Sequence, residues 1–188
     1  MRSCRRSPLA NASRITRRLR SWNTIDWPRL FEREKERIRS ALGSKVLRIE
    51  HVGSTSVPGL CAKPIIDILL VVKDSSDEAS YVPPLEEVGY RLRIREPEML
   101  EHRMFKGPDT DINLHVFSES TLEIEKMLLF RDWLRNNKND REKYEQVKRS
   151  LAKQKWRHIQ HYADAKTSIV HEILERAHAS GKQNEYSV

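Results

Sequence analysis

Apolar positions recur along the chain first with the period of a helix and then with that of strands. Leu30, Phe31, Ile38, Ala41 and Leu42 follow Pro28 at roughly helical spacing with charged residues between them. This predicts an amphipathic helix that Gly43 closes. Val46–Val52 reads as a strand with Arg48 and Glu50 on one face and Leu47, Ile49 and His51 on the other. Residues 65–72 are apolar at every position except Asp67, the composition of a central strand covered above and below. Lys73–Ser80 is polar and reads as a loop, after which Pro83 and Pro84 open a short helix closed by Gly89.

Tyr90–Arg95 is the next strand. His102–Lys106 and Asp111–Phe117 form a pair joined by Gly107-Pro108-Asp109-Thr110, which has turn composition. In its second member Ile112, Leu114 and Val116 alternate with Asn113, His115 and Phe117, so one face is core and the other carries an amide and an imidazole. The remainder is helical: Thr121–Asn136, a second helix capped by Asp140, and a third from about Gln160 to Ala179 that stops before Gly181. The pattern is that of an α/β (α+β) domain over residues 23–180, a mixed sheet with flanking helices and a C-terminal helical segment. Residues 1–22 form a basic extension, and residues 181–188 a flexible tail.

Charge changes this picture in one respect. Seven arginines and no acid in residues 1–25 account for +7 of the net +8, so the domain itself is nearly balanced. The extension reads as disordered or as an organelle-targeting segment, which shares its Arg- and Ser-rich, acid-poor composition. Within the domain, residues 131–157 hold ten Lys and Arg against four acids, a surplus that suits an anionic ligand. No apolar run approaches a membrane span. Cys4 and Cys61 suggest no disulfide framework, which fits a reducing, cytoplasmic setting. No zinc spacing, Walker sequence, dinucleotide fingerprint or nucleic-acid-binding module is present, so nucleic acid is not the expected partner.

The chemistry concentrates where the first strand runs into Gly53-Ser54-Thr55-Ser56 and the second strand carries Asp67. Gly and Ser at a strand end leave backbone N–H groups able to hold an anion. A lone carboxylate in an aliphatic strand calls for a partner or a metal. Glycine-rich cradle and strand-borne acid together are what metal-dependent phosphoryl chemistry requires. Each feature also has a plain structural reading: the hydroxyls satisfying their own turn, and Asp67 pairing with Lys63 or an arginine. His51, on the face away from Glu50, reads as structural.

The run Glu50-His51-Val52-Gly53-Ser54-Thr55-Ser56-Val57-Pro58-Gly59-Leu60, continuing through Lys63-Pro64-Ile65-Ile66-Asp67-Ile68, resembles the GrpB family. The resemblance continues in Asn113-Leu114-His115-Val116-Phe117, in Phe130–Arg135, and in Tyr144 with Lys148 and Tyr162 with Lys166. It implies a nucleotidyltransferase-like fold. Such proteins usually follow Gly-Ser with Asp-x-Asp or Asp-x-Glu, whose two acids hold a divalent metal on the nucleotide phosphates. Here Gly53-Ser54 and Asp67 fit, but the second acid position is Leu69.

Two expectations follow. In one, the protein transfers a nucleotidyl group from a nucleoside triphosphate to an acceptor with Mg²⁺ or Mn²⁺; Asp67 and His115 are then catalytic, and Glu50 joins Asp67 as metal ligand, with Asp111 as a further candidate. Gly53, Ser54, Thr55, Ser56, Lys63, Arg131, Lys148 and Lys166 would then contact phosphate or nucleotide. In the other, the domain binds a nucleotide or phosphorylated metabolite without chemistry.

Overall fold

The computed structural model describes residues 25–154 and 165–185. The expectations for residues 1–22, Trp156 and Tyr162 lie outside this range. Helix α1 (Trp27–Leu42) starts at Asp26, whose carboxylate accepts the Arg29 backbone N–H at 3.1 Å, with Pro28 in the first turn where no helical N–H is missed. Gly43, at φ 56°, closes it as expected and leads through a short 3₁₀ turn into β1 (Arg48–Val52). A second 3₁₀ turn, Ser54–Ser56, leads towards β2 (Ile66–Val72). Then come α2 (Glu78–Glu87), β3 (Arg91–Glu96), β4 (His102–Lys106), β5 (Ile112–Ser118), α3 (Leu122–Asn136), α4 (Lys138–Lys153) and α5 (Thr167–Glu185).

The five strands among the described residues form one sheet in the order β1-β2-β5-β4-β3. β2 and β5 pair in parallel at its centre, and every other neighbouring pair is antiparallel. Pleating sends alternate residues to opposite faces. One face carries Ile49, Ile66, Ile68, Leu70, Val72, Phe105, Ile112, Leu114 and Val116, packed against Trp27, Phe31, Ile38 and Leu42 of α1 and Tyr81 and Leu85 of α2. On the other face Val52, Leu69, Val71 and Phe117 pack under Ile124 and Leu128 of α3. This second apolar patch is smaller, and the polar residues of β2 and β5 continue the same face beyond it.

A third cluster joins the motif loop to the C-terminal helices: Val57 and Leu60 pack with Leu134, Tyr144, Ile169 and Ile173. The helices are tied together by Asp140, whose carboxylate accepts from Trp133 Nε1 at 2.7 Å and pairs with Arg176 at 2.9 Å. Asp140 is therefore not the cap of α4. Asn137 is, its side-chain oxygen accepting the Asp140 N–H at 3.0 Å.

Helix α2 begins five residues before the prolines expected to open it and contains both of them. Proline inside a helix forfeits backbone bonds. The offset is burial of Tyr81 and Leu85 one turn apart on the core face, with the Tyr81 hydroxyl donating to the Ser75 carbonyl at 2.7 Å. The last described helix begins at Thr167 and continues past Gly181, where it was expected to stop, to Glu185; the expected start near Gln160 lies outside the described residues. Among the described residues no helix is long and apolar enough to cross a membrane.

Candidate functional site

Gly53 ends β1 at φ 69° and ψ −170°, a conformation that is essentially restricted to glycine. The reason is proximity as well as backbone: any Cβ there would run into the Asp67 carboxylate. Beyond it the 3₁₀ turn closes on itself. The Ser56 hydroxyl donates to the Gly53 carbonyl at 2.6 Å. The Thr55 hydroxyl donates to the Ile65 carbonyl at 3.2 Å and so accepts from His51 Nε2 at 3.0 Å. Thr55 and Ser56 thus hold the turn, whereas the Ser54 hydroxyl accepts from Lys148 Nζ at 2.7 Å.

Asp67 faces Asn113 across the parallel β2–β5 pair, and His115 lies two residues further on the same face. Asn113 Nδ2 donates to Asp67 Oδ1 at 2.7 Å, while Lys106 Nζ donates to Asn113 Oδ1 at 2.6 Å and so orients the amide. His115 Nε2 stands 3.8 Å from the same Oδ1, with both side chains about one quarter exposed (23% and 28%). Burial by itself would raise the Asp67 pKa, but His115, Asn113 and the Lys166 charge outweigh it and hold the carboxyl below its ordinary value.

Lysine charge gathers around this acid. Lys148 is buried on α4, where its ammonium donates to Ser54 Oγ and, at 2.6 Å, to the Cys61 carbonyl. Burial and the neighbouring Lys166 charge bring its pKa down to about 7. Burial lowers the Lys63 pKa too, and Lys166 adds to the effect. Lys166 is itself lowered by burial, against the opposing pull of Asp67. Mutual repulsion of this kind marks a place that a bound anion would relieve.

Glu50 shares the Asp67 face of the sheet but is engaged elsewhere. Arg131 Nη1 donates to Glu50 Oε2 at 2.7 Å and to the His51 carbonyl at 3.1 Å, and Arg131 Nε donates to Asp132 at 2.7 Å. Arg48 Nε holds the other Glu50 oxygen at 3.1 Å. This arrangement borders a groove of about 590 Å³ beside the motif turn, also lined by Phe31, His51, Ser56 and Arg135, and not by Asp67 or the three lysines. His51 lies between groove and core, stacked on Phe31 with ring centroids 5.0 Å apart. Asp111 pairs with Lys106 at 3.6 Å.

Among the described residues no three His, Cys, Asp or Glu side chains gather as a complete metal cluster. The donors beside the lysines are Asp67 Oδ1 and His115 Nε2. That pair suits a cation that takes its remaining ligands from water and phosphate, as Mg²⁺ and Mn²⁺ commonly do. His102 and Glu96 complete the surroundings of His115. His102 Nε2 lies 3.1 Å from His115 Nδ1, and Glu96 Oε2 lies 2.7 Å from His102 Nδ1. His102 starts a strand already read as the partner of 111–117; Glu96 carries no sequence signal, because only the β3–β4 register brings it opposite His102.

The profile of the family described as GrpB protein matches residues 19–176. The chain is 71% identical over 154 residues to the UPF0157 protein BH1888 of Halalkalibacterium halodurans, a match covering 82% of this chain and 79% of that protein. It is 44% identical over 154 residues to the UPF0157 protein SCO7215 of Streptomyces coelicolor, covering 82% and 81% respectively. Among solved structures it resembles that of the conserved protein GrpB from Enterococcus faecalis, with a TM-score of 0.70 and 28% identity, covering 84% of this chain and 98% of that one.

Proposed function

The chain belongs to the GrpB family, and on the geometry around its motif turn we propose that it binds a nucleoside triphosphate there and transfers the nucleotidyl group to an acceptor. The observation that carries this reading is the buried Lys148 ammonium donating to Ser54 Oγ, with the Lys166 charge acting on both Lys148 and Asp67. Partly desolvated ammonium groups beside a glycine turn suit the charge of a polyphosphate chain. Gly53 lets the Asp67 carboxylate pack directly against the turn, and Ser54 already accepts from a cation that a phosphate oxygen could share. Asp67 and His115 would hold a divalent cation, whose chemistry is to neutralise phosphate charge and align the attacking oxygen. The residues of this chain bind and orient the phosphates, and the packing of α4 and the motif loop keeps water from Lys148.

A second reading, a binding module without chemistry, draws on the engagement of Glu50. With Leu69 at the second acid position and Glu50 paired with Arg131 and Arg48, neither position supplies a second metal ligand beside Asp67.

Asp67→Asn separates these readings from a purely structural role. Asparagine keeps an oxygen to accept from Asn113 and removes the charge. The variant is expected to remain folded and to lose the Mg²⁺- or Mn²⁺-dependent rise in melting temperature that a nucleoside triphosphate gives the native protein, since a ligand of the folded state stabilises it in proportion to the logarithm of its concentration. A variant destabilised by roughly 3–5 kcal/mol marks Asp67 as a buried structural counter-ion; a stable one with unchanged metal-dependent binding removes it from the site. Turnover of bound triphosphate by the native protein in the presence of candidate acceptors distinguishes transfer from binding alone.

A further inference from the structure

Helix α1 presents Phe31, Lys35 and Arg39, each one turn from the next, to the groove of about 590 Å³ that runs beside β1, the edge strand of the sheet. Five cations line it: Lys35, Arg39, Arg48, Arg131 and Arg135. Against them stand two acids, Glu32 and Glu50, which leaves three positive charges in excess. His51 adds none at neutral pH, because burial brings its pKa down to about 4.

The hydrogen bonds show which cations are committed. Lys35 Nζ donates to both oxygens of Glu32 at 3.1 Å. Arg131 is engaged on every side, through Nε and Nη2 with Asp132 and through Nη1 with Glu50 and the His51 carbonyl. The other three guanidinium groups keep donors to spare. Arg48 is held by Glu50 through Nε at 3.1 Å. Arg135 spends Nε on the Ser56 carbonyl at 3.0 Å and reaches Asp132 from Nη1 at 3.4 Å. Arg39 has no polar side-chain partner among the described residues. Burial and then the like charge of Arg131 lower the Arg135 pKa, a strain that a bound anion relieves.

The apolar wall limits what that anion is attached to. The Phe31 ring is already taken by His51, stacked with centroids 5.0 Å apart, and by Lys35 Nζ at 5.5 Å, so a nucleobase finds no open stacking face there. Leu47, half exposed, and Pro58 beside the motif turn suit a saturated carbon chain instead. We propose that the groove is a second ligand site, which takes a small aliphatic anion whose carboxylate or phosphate group is held by Arg39, Arg48 and Arg135 and whose carbon chain lies on Leu47 and Pro58. Planar guanidinium groups match either oxyanion with paired hydrogen bonds. Nothing in this site depends on the nucleotide chemistry proposed above, since neither Asp67 nor Lys63, Lys148 or Lys166 lines it.

The test uses the full chain, labelled with ¹⁵N in arginine and ¹³C in the leucine methyl groups, and titrated separately with glutarate, glycerol phosphate and ATP with Mg²⁺. Glutarate or glycerol phosphate is expected to shift the Nε–Hε signals of Arg39, Arg48 and Arg135 together with the Leu47 methyl signals, and the tighter of the two identifies the anionic group. Arg39→Gln gives up no hydrogen bond within the protein, so it is expected to stay folded and to weaken that binding about tenfold. Leu47→Ser is expected to weaken it as well, whereas Lys148→Met, at the other site, is expected to leave it within about twofold. Signals that respond to neither anion, or to ATP alone, overturn the proposal, and so does an affinity unchanged by Arg39→Gln. Equal shifts at Arg95 on β3, at the opposite edge of the sheet, would show general charge attraction and overturn it too. The stabilisation given by ATP with Mg²⁺, measured separately, bears on the proposed function alone.

Discussion

A Cβ placed on Gly53 would lie 2.9 Å from the Cβ of Asp67 and closer still to Oδ2. Glycine at this position is thus demanded twice, by its backbone angles and by the acid packed over it. Gly53→Ala is expected to cost about 1–3 kcal/mol from the backbone alone, and to push the Asp67 carboxylate away from Asn113. Urea denaturation measures the first effect. Loss of nucleotide-dependent stabilisation beyond that of an equally destabilised core variant such as Ile68→Val measures the second. A Gly53→Ala protein of native stability would show that the turn relaxes freely.

Lys148 links stability and ligand affinity to pH in opposite senses. Its folded pKa of about 7 lies below that of an unfolded lysine, so between pH 7 and 10 the unfolded chain holds more protons and stability rises with pH. The rise attributable to Lys148 is on the order of 3 kcal/mol between pH 7 and pH 9.5. Lys148→Met is expected to remove that part of the slope and leave the part due to Lys63 and Lys166. A bound polyphosphate favours the charged ammonium, so its affinity for the native protein is expected to fall as pH rises above 7. Parallel slopes for native and Lys148→Met proteins would refute the assignment.

His51 governs the acid side. Burial against Phe31 brings its pKa down to about 4, whereas the unfolded residue titrates near its ordinary 6.5. Its contribution is complete above pH 6.5 and is lost as pH falls towards 4, on the order of 3 kcal/mol in all. His51→Gln keeps an N–H for Thr55 and does not titrate. The difference in unfolding free energy between the two proteins is expected to change with pH across that window and to be constant above pH 7.

The Arg131–Glu50 pair fastens α3 to β1. Arg131→Met removes the buried cation from Glu50 and Asp132, leaving Glu50 to Arg48 and Asp132 to Arg135. It is expected to cost about 2–3 kcal/mol, less than a fully buried pair because both acids are partly exposed. Adding Glu50→Gln to that variant is expected to recover part of the loss, and the double-mutant cycle gives the coupling directly. Additive effects would show that the two residues act independently.

The strand-borne half of the site was legible because alternation is local. Asp67 stands out in an aliphatic run, and Asn113 and His115 alternate with Ile112, Leu114 and Val116. What alternation cannot show is which residues meet across strands. Glu50 and Asp67 share a face, yet the β1–β2 register sets Glu50 opposite Leu69, where α3 supplies Arg131. Glu96 faces His102 only because β3 folds back beyond a register shift at Leu92 and Ile94. The start of α2 was misplaced because Pro83 and Pro84 are strong local signals, while burial of Tyr81 and Leu85 depends on the whole sheet. The cap of α4 was misassigned for a similar reason: Asp140 has capping chemistry, but Trp133 and Arg176 from neighbouring helices claim its carboxylate.

The order of the strands and helices along the chain also sets an order of assembly during synthesis. Asp67, Asn113 and His115 belong to a sheet whose last strand ends at Ser118, whereas Lys148 and Lys166 lie well downstream. A nascent chain that has emerged as far as Ser118 contains every strand of the described residues and none of the helices that place Lys148 over Ser54. The acid–imidazole half of the site can therefore exist before Lys148 and Lys166 are in place, and the proposed site is complete only once the final helices have docked.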